Sequence, residues 1–182
     1  MPIRCSTFTG KGDLDAMIQL TEQLRRQGQH VYPIAADLYE ELDDPEVQVT
    51  ARLWYRDDKL MGFAYINRYQ NMVDVFIESE LTTSLQQDMI DWLITRAKKR
   101  NQDKGESLTL DAAALENDHE RIAFLKHFGF VLEEESSLLY SCPLYPSLPE
   151  PVIPAGFTIR PMGGIAELET YVALHRAAFG TE

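Results

Sequence analysis

The sequence lacks the features that mark membrane, secreted and metal-binding proteins. No apolar run approaches the ~20 residues that cross a bilayer, and residues 1–10 lack the hydrophobic core of a signal peptide. The two cysteines, Cys5 and Cys142, form no CxxC pair and no other metal-ligand spacing. These absences predict a cytoplasmic protein with reduced thiols, no metal and no membrane association.

Basic residues are also scarce. The chain has 17 Lys and Arg against 29 Asp and Glu, a formal net charge of −12, and no basic stripe interleaved with aromatic residues. Such a surface repels a phosphate backbone, so we expect no nucleic-acid binding. The same charge favours cationic partners such as amines.

Glycine is missing from the whole stretch between Gly62 and Gly105. A loop that holds phosphate groups with its backbone amides usually needs glycine, because only glycine lets the backbone approach so closely. This stretch therefore excludes a glycine-rich phosphate loop.

The chain does contain a regular order of helix and strand patterns. Apolar residues at helical spacing predict helices over 13–26, 34–42, 85–100 and 119–128. Alternating and β-branched runs predict strands over 3–8, 47–56, 60–69, 72–77, 107–114, 130–133 and 137–144. This order predicts an α/β fold with a mixed, twisted central sheet and helices on both faces. We expect one core to contain Trp92, Leu93, Leu108, Leu110, Ile122 and Phe124.

Residues 107–130 carry a more specific pattern. Asn117 is followed by Ile122-Ala123-Phe124-Leu125 and then by Phe128-Gly129-Phe130. This resembles the second half of the GNAT (N-acetyltransferase superfamily) fold, which reads Asn, then Ala-x-x-Phe-Tyr, then hydrophobic-Gly-Phe. Gly62, just before Phe-Ala-Tyr, is similar to the glycine that opens the corresponding strand in many GNAT proteins, and the element order agrees over roughly residues 1–144. The alternative is an ordinary capped amphipathic helix, which would share part of the pattern.

The resemblance implies an enzyme that transfers an acetyl group from acetyl-CoA to the amine of a small molecule or peptide. By position, it assigns cofactor contacts to Phe76, Ile77, Ser84, Leu85, Gln86, Gln87 and Asn117. It implies no metal.

The pyrophosphate motif of the family departs from its pattern here. The motif, Gln/Arg-x-x-Gly-x-Gly/Ala, falls on residues 81–86, where Leu81, Ser84 and Gln86 replace its basic or amide residue and its two small residues. Thr83-x-x-Gln86 and Ser84-x-x-Gln87 each fit a capping box, so Thr83 or Ser84 is expected to cap the helix. Because the acids Glu78 and Glu80 just upstream oppose a pyrophosphate, we expect weak or no binding of acetyl-CoA.

The general acid of the family is also replaced. Leu125 stands where many GNAT enzymes carry a tyrosine that protonates the CoA thiolate, and leucine donates no proton. Tyr65 and Tyr140 are candidate substitutes, although tyrosine in a sheet is usually packing. His119, His127 and Glu116 are expected at the surface, and no catalytic residue is assigned. Two hypotheses stay open: a CoA-dependent N-acyltransferase, or a catalytically silent GNAT domain beside an active second half.

The end of the chain predicts a second, incomplete unit. Residues 143–156 are rich in proline and form an extended linker after a domain over 1–142. Residues 157–182 repeat the start of the chain: Ile159-Arg160 matches Ile3-Arg4, and Glu167-Leu168-Glu169 matches Asp13-Leu14-Asp15. Chance similarity is the alternative. The repeat predicts the first strand and helix of a second unit and implies a piece of a tandem GNAT protein, a class that includes the mycothiol synthase type. We expect this tail to dock on a sheet edge or to form a homodimer by exchange.

Overall fold

The computed structural model describes residues 3–29, 31–77, 82–134, 137 and 152–180. Packing divides the chain into two units, Met1–Glu134 and Glu135–Glu182. The predicted linker over 143–156 stays a prediction, because most of its residues lie outside the described part of the chain. In the described residues, no helix combines the length and the apolar character needed to cross a membrane.

A four-stranded antiparallel sheet forms the centre of the first unit. Its strands lie in chain order: β1 (Arg4–Thr7), β2 (Arg52–Arg56), β3 (Lys59–Ile66) and β4 (Met72–Phe76). A β-bulge between Trp54 and Tyr55 shifts the register of β2 against β3. Gly62 of β3 pairs with Phe76 of β4, so this glycine lies opposite the last residue of the edge strand.

Five helices accompany the sheet: α1 (Lys11–Arg26), α2 (Ala35–Glu41), α3 (Pro45–Gln48), α4 (Thr83–Lys104) and α5 (His119–His127). α3 corrects the prediction that a strand begins at Val47. The Asp44 side chain accepts a hydrogen bond from the Glu46 amide at 2.8 Å, and Pro45 occupies the first turn. This capped proline start favours a helical turn, so the strand begins only at Arg52.

The two faces of the sheet bury different helices. Leu53, Phe63 and Tyr65 are fully buried and pack on the side of α1 and α2. Trp54, Ala64 and Ile66, each one strand position away, pack with α4 and α5. Because neighbouring strand residues point to opposite faces, this alternation places helices on both sides and confirms the predicted fold class.

The predicted core is correct in part. Leu93 is fully buried in the cluster on the α4 face, and Trp92, Leu110 and Phe124 are half-buried against that cluster. Ile122 is half-buried as well. Leu108, however, is 51% exposed, so its placement in the core is wrong.

The strand predicted over 107–114 is also wrong. One isolated parallel bridge, Asn71 with Asp111, is its only β pairing among the described residues. The Leu108 carbonyl instead accepts a hydrogen bond from the Asn101 side chain at 2.8 Å, which takes the group that a ladder would use. Residues 130–133 form no strand, and all but the first residue of the strand predicted over 137–144 lie outside the described residues.

The second unit contains a 3₁₀ turn (Gly164–Glu167) and α6 (Leu168–Phe179). Glu167 joins both to the preceding loop, since it accepts hydrogen bonds from Arg160 at 2.6 and 2.9 Å and from the Gly163 amide at 2.6 Å. A left-handed Gly180 ends the helix. Residues 157–160 form no strand, so the strand predicted at the start of this unit is wrong. A strand needs a paired neighbour to be stable, and none of the described residues pairs with this segment.

Candidate functional site

Among the described residues, the edge of β4 and residues 112–115 are not paired with each other, and we call the unpaired space between them the gap. At the start of the strand, the Met72 amide donates to the Asp111 carbonyl at 2.7 Å, and the Asp111 amide donates to the Gln70 carbonyl at 3.1 Å. Among the residues that the structure describes, backbone pairing on this edge stops there. Ile77 donates inward to Met61, so the alternate residues Asp74 and Phe76 direct their backbone N–H and C=O groups into the gap.

An ion pair joins the two sides of this gap. The Arg121 guanidinium of α5 makes two hydrogen bonds to the Asp74 carboxylate, at 2.5 and 2.7 Å. Its Nε donates to the Ala113 carbonyl at 3.5 Å. The Asp74 side chain is only 8% exposed and that of Arg121 is 21% exposed. The sequence carried signals of this pair, which we did not predict: an acid inside an apolar strand, and a cation in a first helical turn.

Phe76, a predicted cofactor contact, is half-buried and packs against the core on the α4 face. Its ring lies so close to Gly62 that a Cβ atom there would meet ring carbons at 2.0–2.5 Å. The Trp54 ring lies on it with a centroid distance of 5.2 Å. Gly62 is therefore required by the close approach of this ring, and Phe76 can offer a ligand mainly its backbone.

The N-terminus of α4 lies next along the chain after β4. Thr82 caps this helix, since its hydroxyl accepts a hydrogen bond from the Leu85 amide at 3.3 Å. The prediction that Thr83 or Ser84 is the cap is therefore wrong, because the helix begins at Thr83 itself. The capping boxes predicted at Thr83 and Ser84 do not form, because neither residue is the N-cap of α4. Thr82 forms no box either, since the residue three positions after it is Leu85, which has no polar side chain.

The remaining predicted contacts on α4 have different environments. Leu85 is buried in the core, Gln86 is half-buried, and Ser84 and Gln87 are exposed. One turn on, Asp88 accepts a hydrogen bond from Trp54 Nε1 at 2.9 Å and lies 3.5 Å from Arg52. These contacts attach the first turns of α4 to β2. Ser84 stays exposed to a ligand, whereas the exposed Gln87 already donates from its side-chain amide to Asp91 at 3.0 Å.

No family model and no curated protein matches this chain. Solved structures do match it. A transcriptional regulator from Bacillus halodurans C-125 has a TM-score of 0.55 at 14% identity, with 77% of this chain and 100% of that chain covered. The aminoglycoside acetyltransferase AAC(6')-Iy, solved with a bisubstrate analogue of CoA, has a TM-score of 0.54 at 14% identity, with 79% of this chain and 99% of that chain covered. A protein from Clostridium acetobutylicum described as a predicted acetyltransferase, solved with acetyl-CoA, has a TM-score of 0.51 at 14% identity, with 76% of this chain and 95% of that chain covered.

The chain has a GNAT-like fold. Since one of these similar structures is named a regulator and two are named acetyltransferases, the shared fold does not by itself assign an activity.

Two residues of the GNAT-like pattern lie near α5: Asn117 just before the helix and Leu125 within it. Asn117 lies in an exposed turn, and its neighbour Asp118 caps the helix by accepting from the Arg121 amide at 2.9 Å. No hydrogen bond or ion pair between described residues joins Asn117 to the first turn of α4. Leu125, at the general-acid position, is 8% exposed and belongs to the core.

Tyr65 does not replace the missing acid. Its side chain is fully buried on the α1 and α2 face, opposite the face that contains Phe76. Its hydroxyl donates to Glu41 Oε2 at 2.5 Å. Burial, reinforced by this hydrogen bond, raises the pKa of Tyr65 far above its usual value. Tyr140 lies outside the described residues.

The other polar candidates are surface residues. Glu116, His119 and His127 are exposed. Within the described ranges, no group of three His, Cys, Asp or Glu side chains is placed to hold a metal. Cys5 is an exposed free thiol, and Cys142 falls in the part of the chain that is not described.

Proposed function

We propose that the first unit belongs to the GNAT superfamily and transfers an acetyl group from acetyl-CoA to an amine. The observation that carries this proposal is the gap beside β4, which begins at the single bridge between Asn71 and Asp111. The similar fold of AAC(6')-Iy, solved with a CoA bisubstrate analogue, supports the assignment.

The edge of β4 fits an elongated ligand that carries amide groups. The backbone groups of Asp74 and Phe76 would pair with such a ligand as an added strand does, and the pantetheine arm of CoA contains two amides. Acetyl-CoA supplies an activated thioester. The chain contributes orientation, because a bound amine held next to this edge needs no further search for the acetyl group.

The start of α4 fits the phosphate end of CoA less well. A helix N-terminus attracts anions through its free amides and its dipole. Here Thr82 already accepts from the Leu85 amide, and the buried Leu85 side chain offers a phosphate no donor. Ser84 and Gln87 are the exposed polar groups left for contact, so affinity should be low.

A second candidate function is a catalytically silent GNAT domain with a structural or regulatory role beside an active half. The buried Leu125 favours it, because an apolar core residue occupies the place of the usual proton donor. The Phe76 ring, packed on Gly62 and Trp54, favours it as well.

A titration of acetyl-CoA by calorimetry, paired with an acetylation assay on a panel of amines, separates the two candidates. We expect a dissociation constant for acetyl-CoA above ~100 μM, because Thr82 already caps the Leu85 amide in the first turn of α4 and no glycine precedes this helix after Gly62. Slow acetylation at millimolar acetyl-CoA would support the enzyme. No binding and no product at that concentration would support the silent domain, and low-micromolar binding would contradict the predicted weakness.

A matched pair of variants locates the phosphate contact. Ser84→Glu and Gln102→Glu each add one negative charge to an exposed position of α4, at its opposite ends. Only Ser84→Glu should weaken the binding of acetyl-CoA, since like charge near the phosphates is repulsive. Equal effects of the two variants would place the phosphates elsewhere.

We also infer that the second unit is the start of a second repeat and mediates homodimer formation. The support for the repeat is that α6 contains Leu168, the residue matched to Leu14 of α1, although α1 itself begins three residues earlier, at Lys11. Removing residues 157–182 should then halve the molar mass measured by light scattering. An unchanged mass and an unchanged melting temperature would contradict a role in assembly.

A further inference from the structure

The guanidinium of Arg121 contacts both sides of the gap beside β4. Two of its nitrogens bind the Asp74 carboxylate on the strand, and the third donates to the Ala113 carbonyl on the opposite side. The backbone of Arg121 is also held in place, because its amide donates a hydrogen bond to the carboxylate of Asp118, which caps α5. The whole residue is thus anchored across the gap.

This contact is costly to break. The pair has the bidentate geometry in which arginine binds a carboxylate most strongly. Its Asp74 side chain is nearly buried on the α4 and α5 face of the sheet, where its strand partner Ala64 is fully buried. A carboxylate left in such a place without its partner is strongly unfavourable, so the paired state is the resting state.

The first turn of α5 does not require a cation at position 121. Arg121 is in the first turn of the helix, where the positive end of the helix dipole opposes a cation. Asp118 already satisfies the capping requirement of that turn. Arg121 lies over the Phe124 ring of its own helix at 5.3 Å, and it links α5 to β4 and to Ala113.

We propose that the Arg121–Asp74 pair is a latch that sets the width of the gap between β4 and residues 112–115. With the latch closed, the two sides are held together, and a ligand reaches the outer edge of β4 only when the pair is released. The identity of that ligand as an acyl-CoA rests on the proposed function, whereas the latch itself does not.

Amide hydrogen exchange on the full chain tests the latch without any ligand. The double variant Asp74→Asn/Arg121→Met removes both charges, keeps the net charge and leaves no buried charge unpaired. Exchange at the Met72 and Asp111 amides, which form the bridge at the start of the gap, should rise by about tenfold or more, because this edge then opens locally. Exchange in α1 should stay unchanged.

A matched control removes an ion pair elsewhere. Lys99 and Asp103 form an exposed pair at 2.9 Å on α4, away from the first turn of that helix. The variant Lys99→Met/Asp103→Asn should leave exchange at Met72 and Asp111 unchanged. Unchanged exchange in the Asp74/Arg121 variant would overturn the latch, and so would an equal rise in α1, since the pair would then act only on global stability.

Titration of acetyl-CoA into the same variants separates the latch from the proposed function. If the latch limits access, the opened variant should bind acetyl-CoA about tenfold more tightly than the original chain, since it no longer has to break the pair. Faster local exchange with no binding in any variant supports the latch and overturns acyl-CoA as the ligand. Faster exchange with measurable but unchanged affinity overturns control of access by the latch.

Discussion

Replacing Trp54 with alanine is expected to lower the free energy of unfolding by about 3–5 kcal/mol. The Trp54 side chain is fully buried, contacts the Phe76 ring, and donates from Nε1 to Asp88 at 2.9 Å. Its loss would leave a cavity between β2 and α4 and remove a donor from a partly buried carboxylate. Denaturation with urea, followed by circular dichroism, measures the change.

The variant Trp54→Phe is the matched control. It keeps an aromatic ring in contact with Phe76 and loses the hydrogen bond to Asp88, so a loss of about 1–2 kcal/mol is expected. A loss under ~1 kcal/mol for Trp54→Ala would show that this ring does not hold α4 and Phe76 in place.

Replacing Tyr65 with phenylalanine is expected to lower the free energy of unfolding by about 1–3 kcal/mol at neutral pH. Glu41 is 7% exposed and accepts hydrogen bonds from Tyr65 and, at 3.3 Å, from Asn67. Without the hydroxyl, this buried carboxyl group keeps a single donor. The cost is that of leaving a buried acceptor partly unsatisfied.

Tyr65 is also expected to lower the free energy of unfolding as the pH rises into the alkaline range. Burial raises the pKa of Tyr65 well above its usual 10.0, so the folded protein keeps a proton that the unfolded chain releases. The stabilisation is complete below pH 10 and decreases above it, by up to about 1.4 kcal/mol per pH unit. Urea denaturation at a series of alkaline pH values should show a shallower decline for Tyr65→Phe than for the original chain.

Tyr55 provides the comparison. Its hydroxyl donates to Asp13 at 3.1 Å, and burial raises its pKa to about 12. The variant Tyr55→Phe should therefore reduce the loss of unfolding free energy with rising pH only between pH 10.0, the usual pKa of tyrosine, and about pH 12. Parallel declines of the Tyr65→Phe variant and the original chain would contradict the buried hydrogen bond between Tyr65 and Glu41.

The helices were predictable because their signals are local. Apolar spacing located α1, α4 and α5 to within a few residues, since a helix buries a stripe that its own sequence defines. The start of α4 was less certain. Thr82, Thr83 and Ser84 are all good caps, and the structure selects Thr82 because the helix begins one residue later.

By itself, the sequence determined the α/β class, the helices α1, α4 and α5, the lack of glycine before α4 and the leucine at position 125. Each of these depends on residue identity or on spacing along the chain. Tertiary structure alone decided that, within the described part of the chain, pairing on the β4 edge stops at Asp111 and that Arg121 reaches Asp74, 47 residues away in sequence. Such contacts depend on how strands and helices meet in space. The residues next to Asp74 and Arg121 in sequence do not indicate which distant residue each one will contact.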